Sequence, residues 1–288
     1  MAIKRILAPL DGGADDAAVL TCAAAAARRL DAHIDALHVR PDPAGALHYL
    51  TRGLSVTGGM KQSIVEAAQR AAGETAARAR AAFDEFCVAN AIPIVPSPPP
   101  PDGVSAAWHE EIGKESVVVA TRGRLADLIV LARPRQETPA PLTLEAALME
   151  SGRPVLVTPP TPPKQLGGNI AIGWNGSVEA ASAVAAALPF LAAADKVTVL
   201  TTREQRKAAA SAAELAEYLG WHGIEAPARM FETGAQSIGE ALLAEARTLK
   251  VDLLVLGGYG HSRSWELVLG GVTRHVLAAS AMPVFLAH

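Results

Sequence analysis

The chain has 288 residues, of which 26 are Lys or Arg and 29 are Asp or Glu, for a formal net charge of −3. Half of the residues are hydrophobic and only 4% are aromatic, so the apolar content is mostly small and aliphatic. This composition can bury a sizeable core and excludes wholesale disorder. The near-neutral net charge does not indicate the basic surface that binds nucleic acid. At roughly 150 residues per domain, the length suggests about two domains.

The cysteine pattern and the apolar runs bear on the compartment. Cys22 and Cys87 form no Cys-x-x-Cys pair, so neither a disulfide framework nor a structural zinc site is expected, and a reducing cytoplasm is the simplest compartment. Apolar runs such as Ala23–Ala27 are too short to span a membrane. The N-terminal apolar stretch ends at Asp11 and is too short for a signal peptide. We therefore expect a cytoplasmic protein with no membrane partner.

Three segments occur twice in the same order, which indicates an internal duplication. The pairs are Ile6–Gly12 with Ile170–Gly176, Asp127–Leu131 with Asp252–Leu256, and Arg153–Val157 with Met282–Leu286. A proline-rich stretch with a glycine pair, Pro159–Gly168, separates the copies and is typical of a linker. We predict two domains, over residues 1–159 and 168–288.

The second copy alternates strand-like and helical segments. The predicted strands are Asn169–Gly173, Lys196–Thr201, Ala226–Phe231, Asp252–Leu256 and Pro283–Ala287. The predicted helices are Val178–Ala192, Lys207–His222, Ser237–Leu249 and Val272–Ala279. Near-continuous aliphatic strands separated by helices indicate an α/β fold with a doubly wound parallel sheet. Five strands in about 120 residues make a compact domain of flavodoxin-like size, for which we assume the strand order 3-2-1-4-5.

The first copy follows the same plan but is longer. Its predicted strands are Lys4–Pro9, His33–Val39, Ile92–Pro96, Asp127–Ala132 and Pro154–Thr158. The extra length falls in Arg40–Met60, which is predicted to be a surface excursion. Gln62–Asn90 is predicted to be a long helix, and Pro96–Pro101 a stiff extended loop.

In a doubly wound sheet, ligands bind beyond the carboxyl ends of the strands where the winding direction reverses. In the second copy this point is flanked by the loops Trp174–Ser177 and Gly257–Gly260. Their glycines let backbone amides approach a ligand closely, and Gly270–Arg274 opens the last helix with two glycines, a hydroxyl and a cation, which suits a phosphate group. Further donors are His261, Ser262 and Arg263. The structural alternative is a tight turn with a flexible connection.

The spacing Gly257-x-x-Gly260-(nine residues)-Gly270 resembles the nucleotide-loop signature of the universal stress protein family. The resemblance covers both copies, so the chain looks like a tandem member. It implies two flavodoxin-like (HUP-type) domains, each with the strand order 3-2-1-4-5, that bind ATP, AMP or a related adenine nucleotide in some members, with Mg²⁺ accompanying ATP. The function implied is ligand binding in the stress response with little or no turnover, since no base or nucleophile is evident beside the loop; slow ATP hydrolysis stays open.

The resemblance also implies roles for individual residues. The three signature glycines would wrap the phosphates, Asn175 would hydrogen-bond the ribose, and Thr201 and Thr202 would lie near the adenine. Two positions depart from the family pattern. Gly271 stands where Ser or Thr is usual, so Thr273 would have to supply the hydroxyl, and Asn175 stands where many members have Asp.

The first copy departs much further from the pattern. It keeps Asp11 after its first strand, but its fourth strand runs into Ala132–Pro141, which contains no glycine. Prolines lack amide donors, so this loop cannot cradle a phosphate. We interpret the first copy as a degenerate, structural domain. Arg133 and Arg135 are either anion contacts or solvated loop charges.

A hydrolase is a second class of function that the sequence suggests. Ser237 lies between a strand and a helix as in a relaxed nucleophile elbow, and Asp252 and His261 follow in the required order. Asp252 begins the strand that His261 follows, so the two cannot meet, and Ser237 with Glu240 is better explained as a capping box. His109, beside two glutamates, is interpreted as part of a solvated helix face. No metal site, Walker A motif or G-x-G-x-x-G motif is found.

The duplication also suggests how the halves pack. The resemblance implies an intramolecular pseudo-dimer, formed through Pro154–Thr158 against Pro283–Ala287, and leaves open a homodimer of whole chains. The alternative function is a nucleotide-free member that acts as an interaction or scaffold protein.

Overall fold

The computed structural model describes residues 2–42, 58–98, 102–133, 142–202, 210–258 and 271–288. Within these ranges strands and helices alternate along both halves of the chain. The N-terminal half contains β1 (Arg5–Leu10), α1 (Asp16–Leu30), β2 (His33–Arg40), α2 (Gly58–Ala89), β3 (Ser105–Ile112), α3 (Glu115–Gly123), β4 (Leu128–Ala132), α4 (Leu142–Glu150) and β5 (Val155–Thr158). The C-terminal half contains β6 (Asn169–Gly173), α5 (Val178–Ala193), β7 (Lys196–Thr201), α6 (Ala212–Trp221), β8 (Ala228–Met230), α7 (Ile238–Thr248), β9 (Leu253–Gly257), α8 (Gly271–Ala279) and β10 (Val284–Ala287).

The ten strands form one sheet in the order β3-β2-β1-β4-β5-β10-β9-β6-β7-β8. Neighbouring strands within each half are parallel. Numbered within its own half, each copy therefore has the order 3-2-1-4-5. The predicted doubly wound, flavodoxin-like α/β fold is confirmed.

The two halves meet where β5 runs antiparallel to β10. These are the two segments that were predicted from the sequence to pack against each other. Leu156 pairs with Phe285 at the middle of this joint. Two arginines also cross it: Arg29 donates to the carbonyl of Ala193 at the end of α5, and Arg133 Nη1 donates to the carbonyl of Ser280 at 3.1 Å. The joint is thus made of backbone pairing, a shared core and helix-end contacts.

Both faces of the sheet are covered by helices, and each covering layer belongs to both halves. One core cluster combines α1 and α2 with α5, and the other combines α3 and α4 with α7 and α8. The alanine run Ala23–Ala27 is entirely buried in the first cluster. Alanine side chains are small, so α1 can lie close to the sheet and also contact α5 of the other half. The alanine-rich composition therefore serves the packing of layers.

A carboxylate at the start of the fourth strand clamps the start of the first strand in each half. Asp127 accepts hydrogen bonds from the backbone amides of Lys4 and Arg5 at 2.9 and 3.0 Å. Asp252 accepts from three successive amides, those of residues 167, 168 and 169, at 2.9–3.1 Å. Because these carboxylates satisfy backbone donors, the repeated Asp is a structural device in both copies.

The prediction for the third strand of the N-terminal half is wrong. Residues 92–96 contribute only an isolated bridge, between Ile94 and Ala106, and the strand is β3 further along the chain. Pro93 and Pro96 lack amide donors and weaken the earlier segment as a strand. β3 carries three successive polar residues because it is an edge strand. His109 accordingly lies on a strand, and its interpretation as part of a helix face is also wrong.

Several predicted segments fall partly outside the described residues. Of the predicted excursion Arg40–Met60, residues 43–57 lie outside, Arg40 ends β2 and residues 58–60 begin α2. Of the predicted proline loop, residues 99–101 lie outside. The predicted helix Lys207–His222 is described from residue 210 onward and begins at Ala212.

Candidate functional site

The winding reverses between β6 and β9 in the C-terminal half, and the candidate site lies at their carboxyl ends. These strands are neighbours, with Gly173 paired to Leu256. Asn175 follows the end of β6, and Gly258 follows the end of β9. The first turn of α5 and the first turn of α8 both lie against Gly257, so two helix N-termini meet at this edge.

The β6–α5 loop is held by its own side chains. Asn175 Oδ1 accepts a hydrogen bond from the Ser177 amide at 3.0 Å, and Gly176 between them has φ +71°. Ser177 caps α5, since its hydroxyl accepts from the Ala180 amide at 3.1 Å. Trp174 donates its indole N–H to the carbonyl of Ala210 at 2.8 Å. These three contacts preorganise the loop.

Gly257 is glycine because β9 ends against the backbone of α5. A Cβ at this position would lie 2.5 Å from the Ala180 nitrogen and 2.7 Å from the Glu179 carbonyl carbon. Neither backbone atom can move away cheaply. The glycine thus has a packing reason that does not involve a ligand, and it brings the N-terminus of α5 onto the end of β9.

Thr273 lies inside the protein. It is buried in the first turn of α8, and its hydroxyl is 3.5 Å from the carbonyl oxygen of Gly257, at the outer limit of a hydrogen bond. A Cβ added at Gly271, which begins α8, would meet nothing within 4 Å. The space for a hydroxyl at Gly271 is therefore present, although the side chain is not.

Thr201 and Thr202 lie at the end of β7, the strand next to β6. Thr201 is buried and Thr202 is half-buried. Residues Gly260, His261, Ser262, Arg263 and Gly270 of the predicted site lie outside the described residues, as does Arg135. The structure thus brings Asn175, Gly257, Gly271 and Thr273 to one edge, with Thr201 and Thr202 one strand further along.

The corresponding loop of the N-terminal half is occupied by a carboxylate. Asp16 is buried, and its two oxygens accept the amides of Asp11 and Gly12, both at 3.0 Å. Gly12 has φ +75°, the same conformation as Gly176 in the other half, so the two loops correspond. In the C-terminal half the residue at the position of Asp16 is Ala180. The N-terminal loop therefore carries a carboxylate at a position where the C-terminal half has an uncharged methyl group.

Desolvation by burial, with the nearby charge of Asp11, raises the pKa of Asp16 to about 6. A carboxyl whose pKa is higher in the folded protein favours folding when protonated, so this contribution is complete below about pH 4 and is lost as the pH rises through 6. We expect the free energy of unfolding of wild type to fall relative to that of Asp16→Asn by about 1–2 kcal/mol between pH 4 and pH 7, allowing for solvent screening. Urea titrations at the two pH values measure this difference.

Thr21→Val is the matched control, because it changes a side chain of the same helix without removing a titratable group. Its difference from wild type should stay constant over the same pH range. A pH slope of Asp16→Asn equal to that of wild type would contradict the assignment.

A second polar cluster, which the sequence reasoning missed, surrounds Asp35 on β2. Its side chain is 5% exposed, pairs with Arg5, and accepts from His109 Nε2 at 2.8 Å. His33 Nε2 is 3.7 Å from it, and His33 Nδ1 is 2.8 Å from the hydroxyl of Ser105. This Ser-His-Asp chain is not a catalytic triad, because Ser105 is fully buried and no substrate can reach it. His33 and Asp35 lie two residues apart on β2, so their side chains share one face of the sheet, and this spacing is the signal that could have located the cluster.

The hydrolase alternative also fails on geometry. The Ser237 hydroxyl accepts from the Glu240 amide at 3.3 Å, and the Glu240 carboxylate accepts from the Ser237 amide at 2.8 Å, which is the predicted capping box. Asp252 binds backbone amides at the other end of β9. Arg133, a candidate anion contact, instead donates to the Ser280 carbonyl across the joint.

The fold defines a class: flavodoxin-like α/β proteins in which two copies of a five-stranded, doubly wound parallel unit share one sheet. Residues 168–288 match the model of the universal stress protein family, and the C-terminal half of the chain belongs to that family. The family recognised from the glycine spacing is thus confirmed.

Solved structures extend the likeness to the whole chain. A universal stress protein from Archaeoglobus fulgidus DSM 4304 has a TM-score of 0.64 at 17% identity, covering 98% of this chain and 97% of that one. A Pseudomonas aeruginosa UCBPP-PA14 protein assigned to the universal stress proteins has a TM-score of 0.55 at 15% identity, covering 99% and 93%. At these identities the likeness concerns the fold, which is that of a tandem universal stress protein. None of the curated proteins matches the sequence.

The described residues contain neither a membrane-spanning helix nor a metal-binding cluster. None of the helices there combines the length and the apolar character that a membrane span requires. In the same ranges, no group of three or more His, Cys, Asp or Glu side chains is arranged to hold a metal ion.

Proposed function

We propose that the C-terminal half binds an adenine nucleotide, ATP or AMP, at the carboxyl ends of β6 and β9. The observation that carries this proposal is the contrast between the two copies. Where the N-terminal loop is filled by the carboxylate of Asp16, the C-terminal loop has the methyl group of Ala180. Backbone amides and helix N-termini at such an edge favour a phosphate group.

Each predicted residue has a role in this proposal. The phosphates lie against the glycines of the two loops and the donors between them: Gly257, Gly260, His261, Ser262, Arg263, Gly270 and Gly271. Asn175 hydrogen-bonds the ribose through its side-chain amide N–H, since its carbonyl oxygen already accepts from Ser177. Thr201 and Thr202 flank the adenine, and Thr273 supports the loop from inside. Mg²⁺ accompanies ATP on the phosphates.

The proposed activity is binding in the stress response, with slow hydrolysis of ATP at most. The described side chains at the crevice mouth that this proposal uses are amides and hydroxyls, which are weak bases. The two copies, residues 1–159 and 168–288, form an intramolecular pseudo-dimer in which the N-terminal copy is structural at its phosphate loop. We place the protein in the cytoplasm, and whole chains associate as a homodimer only if a further surface is used.

One observation favours the alternative of a nucleotide-free interaction or scaffold protein. The hydroxyl of Thr273 faces the carbonyl of Gly257, and Gly271 has no side chain, so the first turn of α8 offers no hydroxyl to a phosphate in the described contacts. The two functions differ in one measurable property, which is saturable affinity for nucleotide.

Calorimetric titration of the full chain with ATP and AMP, with and without Mg²⁺, tests the proposal. We expect saturable binding by wild type. Gly260→Val and Ala180→Asp should each weaken the affinity for nucleotide by about tenfold or more. The valine would keep the loop backbone away from the phosphates. The aspartate would place a carboxylate where Asp16 stands in the N-terminal half.

Gly220→Ala is the matched control, since a Cβ there meets no atom within 4 Å. It should bind as wild type does, and thermal unfolding confirms that each variant is folded. Absence of saturable binding at millimolar nucleotide would favour the scaffold function. Wild-type affinity in the Ala180→Asp variant, if folded, would contradict the role given to the β6–α5 loop.

A further inference from the structure

The N-terminal half contains a cavity that the degenerate-copy interpretation leaves without a role. It has a volume of about 420 Å³ and lies at the carboxyl ends of β1 and β2, under the first half of α2. Aliphatic side chains form most of its wall, among them Leu10, Leu37 and Val39. Its size is within the range of small-molecule sites.

The polar groups of this cavity are acceptors. Asp11 and Glu115 line it, and among the described residues that do so there is no Lys or Arg. Glu115 is exposed overall, yet desolvation of its carboxyl raises its pKa; a hydrogen bond from Thr143 opposes this effect and the charge of Asp11 adds to it. The described lining therefore places two carboxyl groups at one cavity with neither Lys nor Arg to pair with them.

His38 is also a lining residue of this cavity. Its side chain is buried, and Nδ1 is 2.8 Å from the carbonyl oxygen of Leu10, so Nδ1 carries the proton in that bond. In the neutral ring Nε2 is then an acceptor, and within the described residues it has no hydrogen-bond partner. A buried polar atom without a partner is costly.

Groups that could hold an anion near this cavity are engaged elsewhere. The amides of Asp11 and Gly12 bind the Asp16 carboxylate. Arg78 donates to the Gly12 carbonyl and to the Thr75 hydroxyl, whereas Arg133 donates across the joint. Phosphates and carboxylates are thus disfavoured, because a buried anion beside two carboxylates would be repelled.

We propose that this cavity binds a small organic cation, an amine with an apolar body. The ammonium group donates to Asp11 and Glu115, and the apolar body lies against Leu10, Leu37 and Val39. The two halves of the chain then bind ligands of opposite charge at equivalent places in the fold. This inference does not depend on nucleotide binding in the C-terminal half.

Three ligands of one shape test the charge requirement: 2-phenylethylamine, 2-phenylethanol and phenylacetate, each titrated calorimetrically into the full chain at pH 7. We expect the amine to bind at least about tenfold more tightly than the alcohol, because charge-assisted hydrogen bonds are roughly twice as strong as neutral ones. Phenylacetate should not saturate.

Substitutions test whether the amine binds in this cavity. The double change Asp11→Asn and Glu115→Gln should remove the preference for the amine over the alcohol, and Ala72→Leu, which fills the cavity, should weaken both ligands. Glu85→Gln, an exposed carboxylate of α2 that does not line the cavity, is the matched control and should bind the amine as wild type does. Gly260→Val should also retain amine binding, which separates this test from that of the nucleotide site.

Three outcomes would overturn the proposal. The first is that none of the three ligands saturates at millimolar concentration. The second is that phenylacetate or the alcohol binds as tightly as the amine. The third is that the double variant, folded by thermal unfolding, keeps the preference for the amine.

Discussion

Phe285→Ala is expected to lower the free energy of unfolding by about 3–5 kcal/mol, the cost of truncating a fully buried phenylalanine. Phe285 is 0% exposed, lies on β10 opposite Leu156 of β5, and contacts the edge of Phe190 with 6.0 Å between ring centroids. It therefore belongs to the core that both halves share at their joint, and its removal should also loosen the coupling between them.

Calorimetry and denaturant titration measure both effects. Phe83→Ala is the matched control, since Phe83 is equally buried but lies on α2, in the N-terminal half. Both variants should lose stability, but Phe285→Ala should broaden or split the unfolding transition while Phe83→Ala should not. A loss below about 1 kcal/mol for Phe285→Ala would mean that the joint contributes little to stability.

Asp35→Ala is expected to lower the free energy of unfolding by about 2–4 kcal/mol. Removing the central acceptor leaves Arg5 and His109 without their shared partner, and the loss of one member of a buried pair is strongly destabilising. The lower end of the range reflects that the side chains of Arg5 and His109 are 49% and 41% exposed and can regain water.

The pH dependence of this loss follows from the pKa of Asp35. Burial alone would raise the pKa, but hydrogen bonds from His33, Arg5 and His109 hold it well below its ordinary range. A lowered carboxyl pKa stabilises the fold above the unfolded-state value, so Asp35's own titration should reduce the difference between wild type and Asp35→Ala only below about pH 4.

Urea titrations of wild type and variant at several pH values measure this difference. Asp84→Ala, which removes an exposed ion pair with Arg80, is the control and should cost less than about 1 kcal/mol. Equal losses in the two variants would show that the Asp35 cluster does not stabilise the fold as a unit.

Much of the fold was predictable because its signals are local. The repeated Asp-Leu-Ile-Val-Leu and Asp-Leu-Leu-Val-Leu segments are buried on both faces, and such strands show their burial in their own composition. Ser237 and Glu240 form their capping box within one turn. β3 was missed because an edge strand buries less of itself, and its polar residues gave a weaker and misleading signal.

The sequence by itself determined the duplication, the strand order within each half and the family of the C-terminal half. Hydrophobic periodicity and glycine spacing are local properties of the sequence, so they are recognisable without the tertiary structure. Only the tertiary structure decided that Asp16 binds the loop amides of one half at the position where the other half has Ala180, that Gly257 is required by α5, and that Asp35 contacts both Arg5 and His109. These contacts join residues that register and layer packing bring together. Their energy depends on burial and on partners far away in sequence, which no local pattern specifies.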